Sequence, residues 1–181
     1  MKIIKGVFLG LLTAFTLVFA PATTVKAQET KVAIIDTAFI SKNIMENVVE
    51  ISLAQLGEQK SVDPEIKKAA NQIIADQNQV LSDLKKIGRK KNMVEANENN
   101  NGSPNITSYP GLQGLENATG REFEKIWLLQ MLSRQEAKIA ELETTSPQLS
   151  DVELKSVANR ALQKIKIHRD MLSRMKYKYQ Q

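Results

Sequence analysis

The sequence has no cysteine, and only one histidine and one tryptophan among its 181 residues. Without cysteine there is no disulfide framework, no thiolate nucleophile and no Cys-ligated zinc or iron–sulfur site. With a single histidine, His168 is the one available base for a Ser-His-Asp triad, and a multi-histidine metal site within one chain is excluded. There is no glycine-rich phosphate loop and no catalytic motif. Long apolar runs are also scarce. The one that stands out, Gly6 to Ala20, is too short to span a bilayer comfortably, which takes about 20 apolar residues. What remains, 42% hydrophobic and 25% charged residues, is ordinary for a globular domain.

That apolar run follows the basic start Met1-Lys2-Ile3-Ile4-Lys5 and precedes a small-residue stretch ending in Val25-Lys26-Ala27. The three parts together have the form of a secretory signal peptide, residues 1–27, with an uncleaved anchor as the alternative. No cysteine follows, which excludes a lipoprotein anchor. The expected localisation is export to the periplasm or beyond the cell, with no transmembrane segment in the mature form. Cleavage after Ala27 removes Lys2, Lys5 and Lys26 and no acid, so the net charge falls from +5 to +2. The high pI belongs partly to the discarded segment and does not argue for nucleic acid.

The rest of the chain lacks strand alternation and carries four segments with a helical period. After a short tail, residues 28–35, the expected bundle domain covers 36–178. Helix 1 is expected from about Asp36 to Gln59 and helix 2 from about Asp63 to Lys91, where Asp63-Pro64 supplies an N-cap and a first-turn proline. Helix 3 opens at Thr119 with Glu122 three residues on, and helix 4 at Ser150 with Glu153, two capping-box patterns. Short joints make two αα-hairpins. Between them lies residues 92–118, rich in Asn, Gly and Pro and unusually long for a loop. Extended, its 27 residues reach roughly 90 Å, against roughly 42 Å for a 28-residue helix. A crossover and an up-and-down topology are both open on length. Asn105-Ile106-Thr107 and Asn117-Ala118-Thr119 match the glycosylation sequon, a pattern short enough to recur by chance.

Projected at 100° per residue, three apolar faces each carry one hydrogen-bonding residue. Gln77 sits among Ile66, Ala70, Ile73, Val80, Leu84 and Ile87. Gln135 sits among Leu128, Met131, Ile139 and Leu142, and His168 among Leu154, Ala158, Ala161, Ile165, Leu172 and Met175. Helix 1 is apolar over most of its circumference, and Glu50 falls in its narrow polar gap with Asn43, Glu46 and Asn47. The plainer expectation for Glu50, Gln77, Gln135 and His168 is a buried polar layer that fixes which helices face each other. The sharper one is a metal site inside the bundle, holding iron, manganese or zinc through His168 and Glu50, with Asp76, Glu136 or water nearby. Glutamine is a poor ligand for iron or manganese, so no cofactor is the leading expectation.

Phe39 with Glu50-Ile51-x-Leu53, then Val62-Asp63-Pro64-Glu65-Ile66-Lys67, mark the first hairpin. Ile74-Ala75-Asp76-Gln77 follows, then Gly120-x-x-Phe123-Glu124 with Trp127, and finally Glu153-Leu154-Lys155 with His168. In this order and spacing the chain, from about Asp36 to Met175, resembles domain-of-unknown-function family 4142, secreted bacterial proteins placed among the ferritin-like four-helix bundles. The resemblance implies an all-α, ferritin-like four-helix bundle of two αα-hairpins, and it favours the crossover connection. Family members commonly carry histidine at the positions of Gln77, Gln135 and His168, so it also implies a metal site that has become degenerate here. A non-enzymatic structural or interaction role in the cell envelope, with an unknown partner, is the resulting expectation.

Basic residues crowd two helix ends: Lys85, Lys86, Arg89, Lys90 and Lys91 in helix 2, and Lys164, Lys166, Arg169, Arg174, Lys176 and Lys178 in helix 4. Cations there complement the helix macrodipole. Their functional alternative is peripheral contact with anionic envelope surfaces. Tyr177 and Tyr179 on a terminal tail do not make a nucleic-acid platform.

Overall fold

Asp63 starts the second helix as its sequence predicts. Its side chain accepts from the Glu65 N–H at 2.8 Å, and Pro64 takes the first helical position. The same helix ends in a Schellman turn: Asn92 enters the left-handed region at φ 53°, and the Met93 N–H returns to the Gly88 carbonyl. The structure is a computed structural model that describes residues 23–93, 112 and 114–179, with side chains from residue 34 onward. Its helices are α1 (Thr23–Lys60), α2 (Pro64–Lys90), α3 (Gly120–Thr145) and α4 (Val152–Lys176), with short 3₁₀ turns at Ser146–Gln148 and Tyr177–Tyr179. There is no strand among the described residues. No helix among them is long and apolar enough to cross a membrane.

Three boundaries differ from the sequence reading. Residues 28–35, expected as a tail, are helical, because α1 begins at Thr23. The stretch Ala27-Gln28-Glu29-Thr30-Lys31 contains no glycine or proline and several good helix formers, so nothing in it stops the helix. Helix 4 is capped by Asp151 and not by Ser150. The Asp151 carboxylate accepts from the Leu154 N–H at 2.9 Å, while Ser150 is taken by a carboxylate on α1. Thr119 makes no side-chain cap bond, because Gly120 at φ 55° breaks the regular first turn that a capping box needs. The expected signal segment lies outside the described residues up to residue 22.

The ion pairs fix the topology. Along α1 and α3, Leu53 meets Trp127, Glu50 meets Arg134 and Gln135, Glu46 meets Lys138, and Lys42 meets Glu141. One number rises as the other falls, so α1 and α3 are antiparallel. Along α2 and α4, Lys91 pairs with Asp151, Lys90 with Glu153, Asp83 with Arg160, Asp76 with Lys164 and Asp63 with Lys178. Those two are antiparallel as well. Each hairpin being antiparallel within itself, α2 and α3 run parallel on one diagonal of the bundle. The end of α2 and the start of α3 therefore lie at opposite poles, the arrangement of a crossover topology that the family resemblance favours.

The expected stripes face inward. Ile66, Ala70, Ile73, Leu84 and Ile87 of α2 are buried, as are Leu128, Met131, Ile139 and Leu142 of α3. So is the whole α4 series from Leu154 to Met175. The apolar interior has two parts. One surrounds Trp127, Phe123 and Leu53 near the α1–α2 turn, and the other surrounds Ile40, Leu84, Leu154 and Ile165 toward the α3–α4 turn. Leu112 and Leu115, at the end of the connection, are fully buried in the first. The Lys60 ammonium secures this segment by donating to the Leu115 and Glu116 carbonyls at 3.0 and 2.8 Å.

Candidate functional site

Among the described residues, polar side chains inside the bundle gather in three places, apart from the His168–Asp76 pair. The first is the pole at the α1–α2 turn. Glu124, near the start of α3, reaches across to that turn, where one carboxylate oxygen accepts from Ser61 Oγ at 2.7 Å and from the Val62 and Asp63 N–H groups at 3.0 Å. Tyr179 Oη donates to Asp63 at 2.5 Å and lies 3.2 Å from the second Glu124 oxygen. Burial would raise the Glu124 carboxyl, but these donors outweigh it and hold it below its usual range. Asp63 behaves likewise, with Lys178 and Tyr179 offsetting burial, and burial next to these carboxylates pushes the Tyr179 phenol far upward. Beneath this cluster Trp127 donates from Nε1 to the Leu53 carbonyl at 2.8 Å. Its ring lies so close to Gly57 that a Cβ there would come within 2.3 Å of it.

The opposite pole repeats the device. Asp36 on α1 accepts from the Ser150 N–H and Oγ and from the Asp151 N–H at 2.7–3.1 Å, holding the α3–α4 turn. In both places a carboxylate of one hairpin closes the turn of the other, and the following helix starts at an Asp cap paired with a lysine from a neighbouring helix end. Lysine 91 in that pair also holds the Asp151 carboxyl below its usual range.

The third place is a cleft of about 180 Å³ between α1 and α3, opening into the core. Glu46, Glu50, Arg134, Lys138 and Glu141 line its mouth, Asn43, Asn47, Gln77 and Gln135 lie deeper, and Phe39, Leu84, Val157 and Ile165 are among its apolar lining. The narrow polar gap of helix 1 thus faces α3. Glu50 is buried, and its carboxylate accepts from Arg134 Nε at 3.0 Å and from the Gln135 side-chain amide. Lys138 pairs with Glu46, and Lys42 with Glu141 at 2.9 Å. Two buried oxygens in this region, Asn47 Oδ1 and Gln135 Oε1, have no partner among the described residues.

The four sequence-predicted polar residues therefore divide. Glu50 and Gln135 touch, and Gln77 lines the same cleft. His168 is absent from its lining. This ring is fully buried, and its Nε2 donates to Asp76 at 2.9 Å while Nδ1 has no partner among the described residues. Burial alone would raise the Asp76 carboxyl, but Gln72, His168 and Lys164 outweigh it and hold it below its usual range. Glu136 is exposed. A metal held by Glu50 and His168 does not fit these residues. Glu50 already carries a guanidinium where a cation would sit, His168 is turned to a different carboxylate, and no three His, Asp or Glu side chains converge among the described residues.

The basic helix ends are also separated. Antiparallel α2 and α4 place Lys85, Lys86, Arg89, Lys90 and Lys91 at one pole and Arg169, Arg174, Lys176 and Lys178 toward the other. Lys90, Lys91 and Lys178 are engaged with the acidic caps, and Arg169 with Asp170. Sequence reasoning missed Arg134 as the partner of Glu50, although Lys42, Glu46, Glu50 and Arg134, Lys138, Glu141 are complementary charge stripes at helical spacing. It also missed Asp36, Glu124 and Tyr179, whose roles appear only when distant turns meet them.

Residues 21–175 match the model of a family described as "Domain of unknown function (DUF4142)". No curated protein and no solved structure matches the chain.

Proposed function

The chain belongs to the DUF4142 family, and on that premise we propose that it is an exported, non-enzymatic, ferritin-like helical bundle with a structural or interaction role in the bacterial cell envelope, carrying a degenerate metal site. One observation supports this reading above others. The two ligand-type residues that the family resemblance leaves in place are used for something else: Glu50 for Arg134 and Gln135, and His168 for Asp76. A buried carboxylate already paired with a half-buried guanidinium has little left to offer a divalent cation, since the cation would have to displace Arg134 first. The parallel diagonal of α2 and α3, with its long return connection, agrees with a ferritin-like ancestry. Export rests on the form of residues 1–27.

The test is metal analysis of the purified mature protein after loading with iron, manganese and zinc, beside the variant Gln77→His with Gln135→His. The wild type is expected to hold less than stoichiometric metal, and the double variant to gain some. Stoichiometric metal in the wild type, lost in His168→Ala, would overturn the proposal. Fractionation of the producing bacterium checks export separately, and retention in the cytoplasm would refute that part.

A further inference from the structure

The two unpartnered oxygens beside the cleft are specified as acceptors by their own surroundings. Asn47 Nδ2 donates to the Asn43 carbonyl at 2.7 Å, which assigns the other amide atom as oxygen. Gln135 is fixed in the same way, since its amide nitrogen donates to the Glu50 carboxylate, which can only accept while ionised. Asn47 is 5% exposed and Gln135 1% exposed, both line the cleft, and they come from α1 and α3 on its two sides. A buried acceptor left unmet is destabilising, because it has given up its hydration without a replacement. Two such atoms beside one cavity describe a place prepared for hydrogen-bond donors.

Three further features narrow the donor. The charges at the mouth are already matched: Glu46 with Lys138, Glu50 with Arg134 and Glu141 with Lys42. No unbalanced charge is left there to select an ion. The deeper lining adds Phe39, Val80, Leu84, Leu142, Val157 and Ile165, which favour an apolar body. The volume, about 180 Å³, slightly exceeds an engineered cavity of about 150 Å³ that admits benzene. We propose that the α1–α3 cleft is a binding site for a small neutral molecule of the phenol class, an apolar ring carrying one hydroxyl donor for the acceptor pair of Asn47 and Gln135. The mouth ion pairs then act as its rim, and Arg134 keeps the Glu50 carboxylate in place to orient Gln135.

Titration of the wild-type protein with phenol and with toluene, followed by calorimetry and thermal unfolding, tests this without any substitution. The two probes are close in size and differ in the donor. Phenol is expected to bind one molecule per chain and raise the unfolding temperature with concentration. Toluene is expected to bind at least tenfold more weakly, and Gln135→Leu to narrow or reverse that preference. Equal affinity for the two probes would overturn the role of the acceptors, and saturation by neither would show that the cleft holds only water. Metal analysis reports on the proposed function and ligand titration on this site, so the two can fail separately.

Discussion

Glu124 and Glu50 are both buried acids on helices, both face the other hairpin, and both accept more than one hydrogen bond. Their surroundings nevertheless differ in kind. Glu124 takes its donors largely from main-chain N–H groups of a turn, and among the described residues neither it nor its partners carry an unpartnered buried side-chain atom. Glu50 takes its donors from the side chains of Arg134 and Gln135, beside two unmet acceptors and a cavity. A carboxylate held by backbone defines the path of the chain, because its donors have no other way to be paired. One held by flexible side chains defines only a contact, and leaves room around it. The first arrangement is architecture; the second is a place where something else can enter.

Removing the ring that closes the dense pole gives the largest effect. Trp127→Ala deletes a fully buried side chain that bonds to Leu53 and packs against Gly57, and it should cost about 3–5 kcal/mol in urea unfolding. A cost below about 1 kcal/mol would mean that this pole is no tighter than the cleft. Next comes Glu124→Gln, expected to cost about 2–3 kcal/mol, since a neutral amide oxygen accepts more weakly from Ser61, Val62 and Asp63 and the NH2 group takes the place of the oxygen beside Tyr179.

Acid provides a graded version of the same comparison. Asp63, Glu124, Asp76 and Asp151 all have folded values lowered from ordinary values of 3.8 or 4.5. A lowered carboxyl adds stability that is complete above its unfolded value and is lost as pH falls through its folded value. The urea midpoint should therefore drop below about pH 4, and Glu124→Gln should flatten that drop. An unchanged midpoint down to pH 2 would contradict the cap geometry. The smallest effect is expected at the cleft. Glu50→Gln should change stability by less than about 1 kcal/mol, because its amide oxygen still accepts from Gln135 and the Arg134 side chain, 29% exposed, stays partly hydrated. A loss equal to that of Glu124→Gln would erase the distinction between the two regions.

Much of the fold was legible because it is periodic. The apolar stripes of α2, α3 and α4, with Gln77, Gln135 and His168 on their buried faces, follow from a spacing of 3.6 alone. The start of α2 follows from Asp63-Pro64, a signal contained within two residues. What was hidden depends on residues far apart in the chain. Ser150 looked like a cap, and its hydroxyl was instead taken by Asp36. Leu112 and Leu115 sit in a stretch whose asparagines, glycines and prolines conceal a plug for the core. The candidate site was half legible: the polar gap of helix 1 pointed to Glu50, while the antiparallel match of its charges with α3 required two helices to be compared at once. His168 was placed correctly on its face, and Asp76 was named beside it as part of a metal site, but their direct bond was not foreseen, since Asp76 lies on the shoulder of α2 beside Gln77 and not at its centre.

The reciprocal closure of the two turns also bears on how the chain becomes one molecule. Local propensity can wind each helix early, but the N–H groups at Val62 and Asp63, and those at Ser150 and Asp151, wait for an acid from the opposite half. Neither half can complete its own bend. Formation of the last bonds is thereby coupled across a large separation in sequence, and cooperativity resides in the handshake between the halves more than in either one.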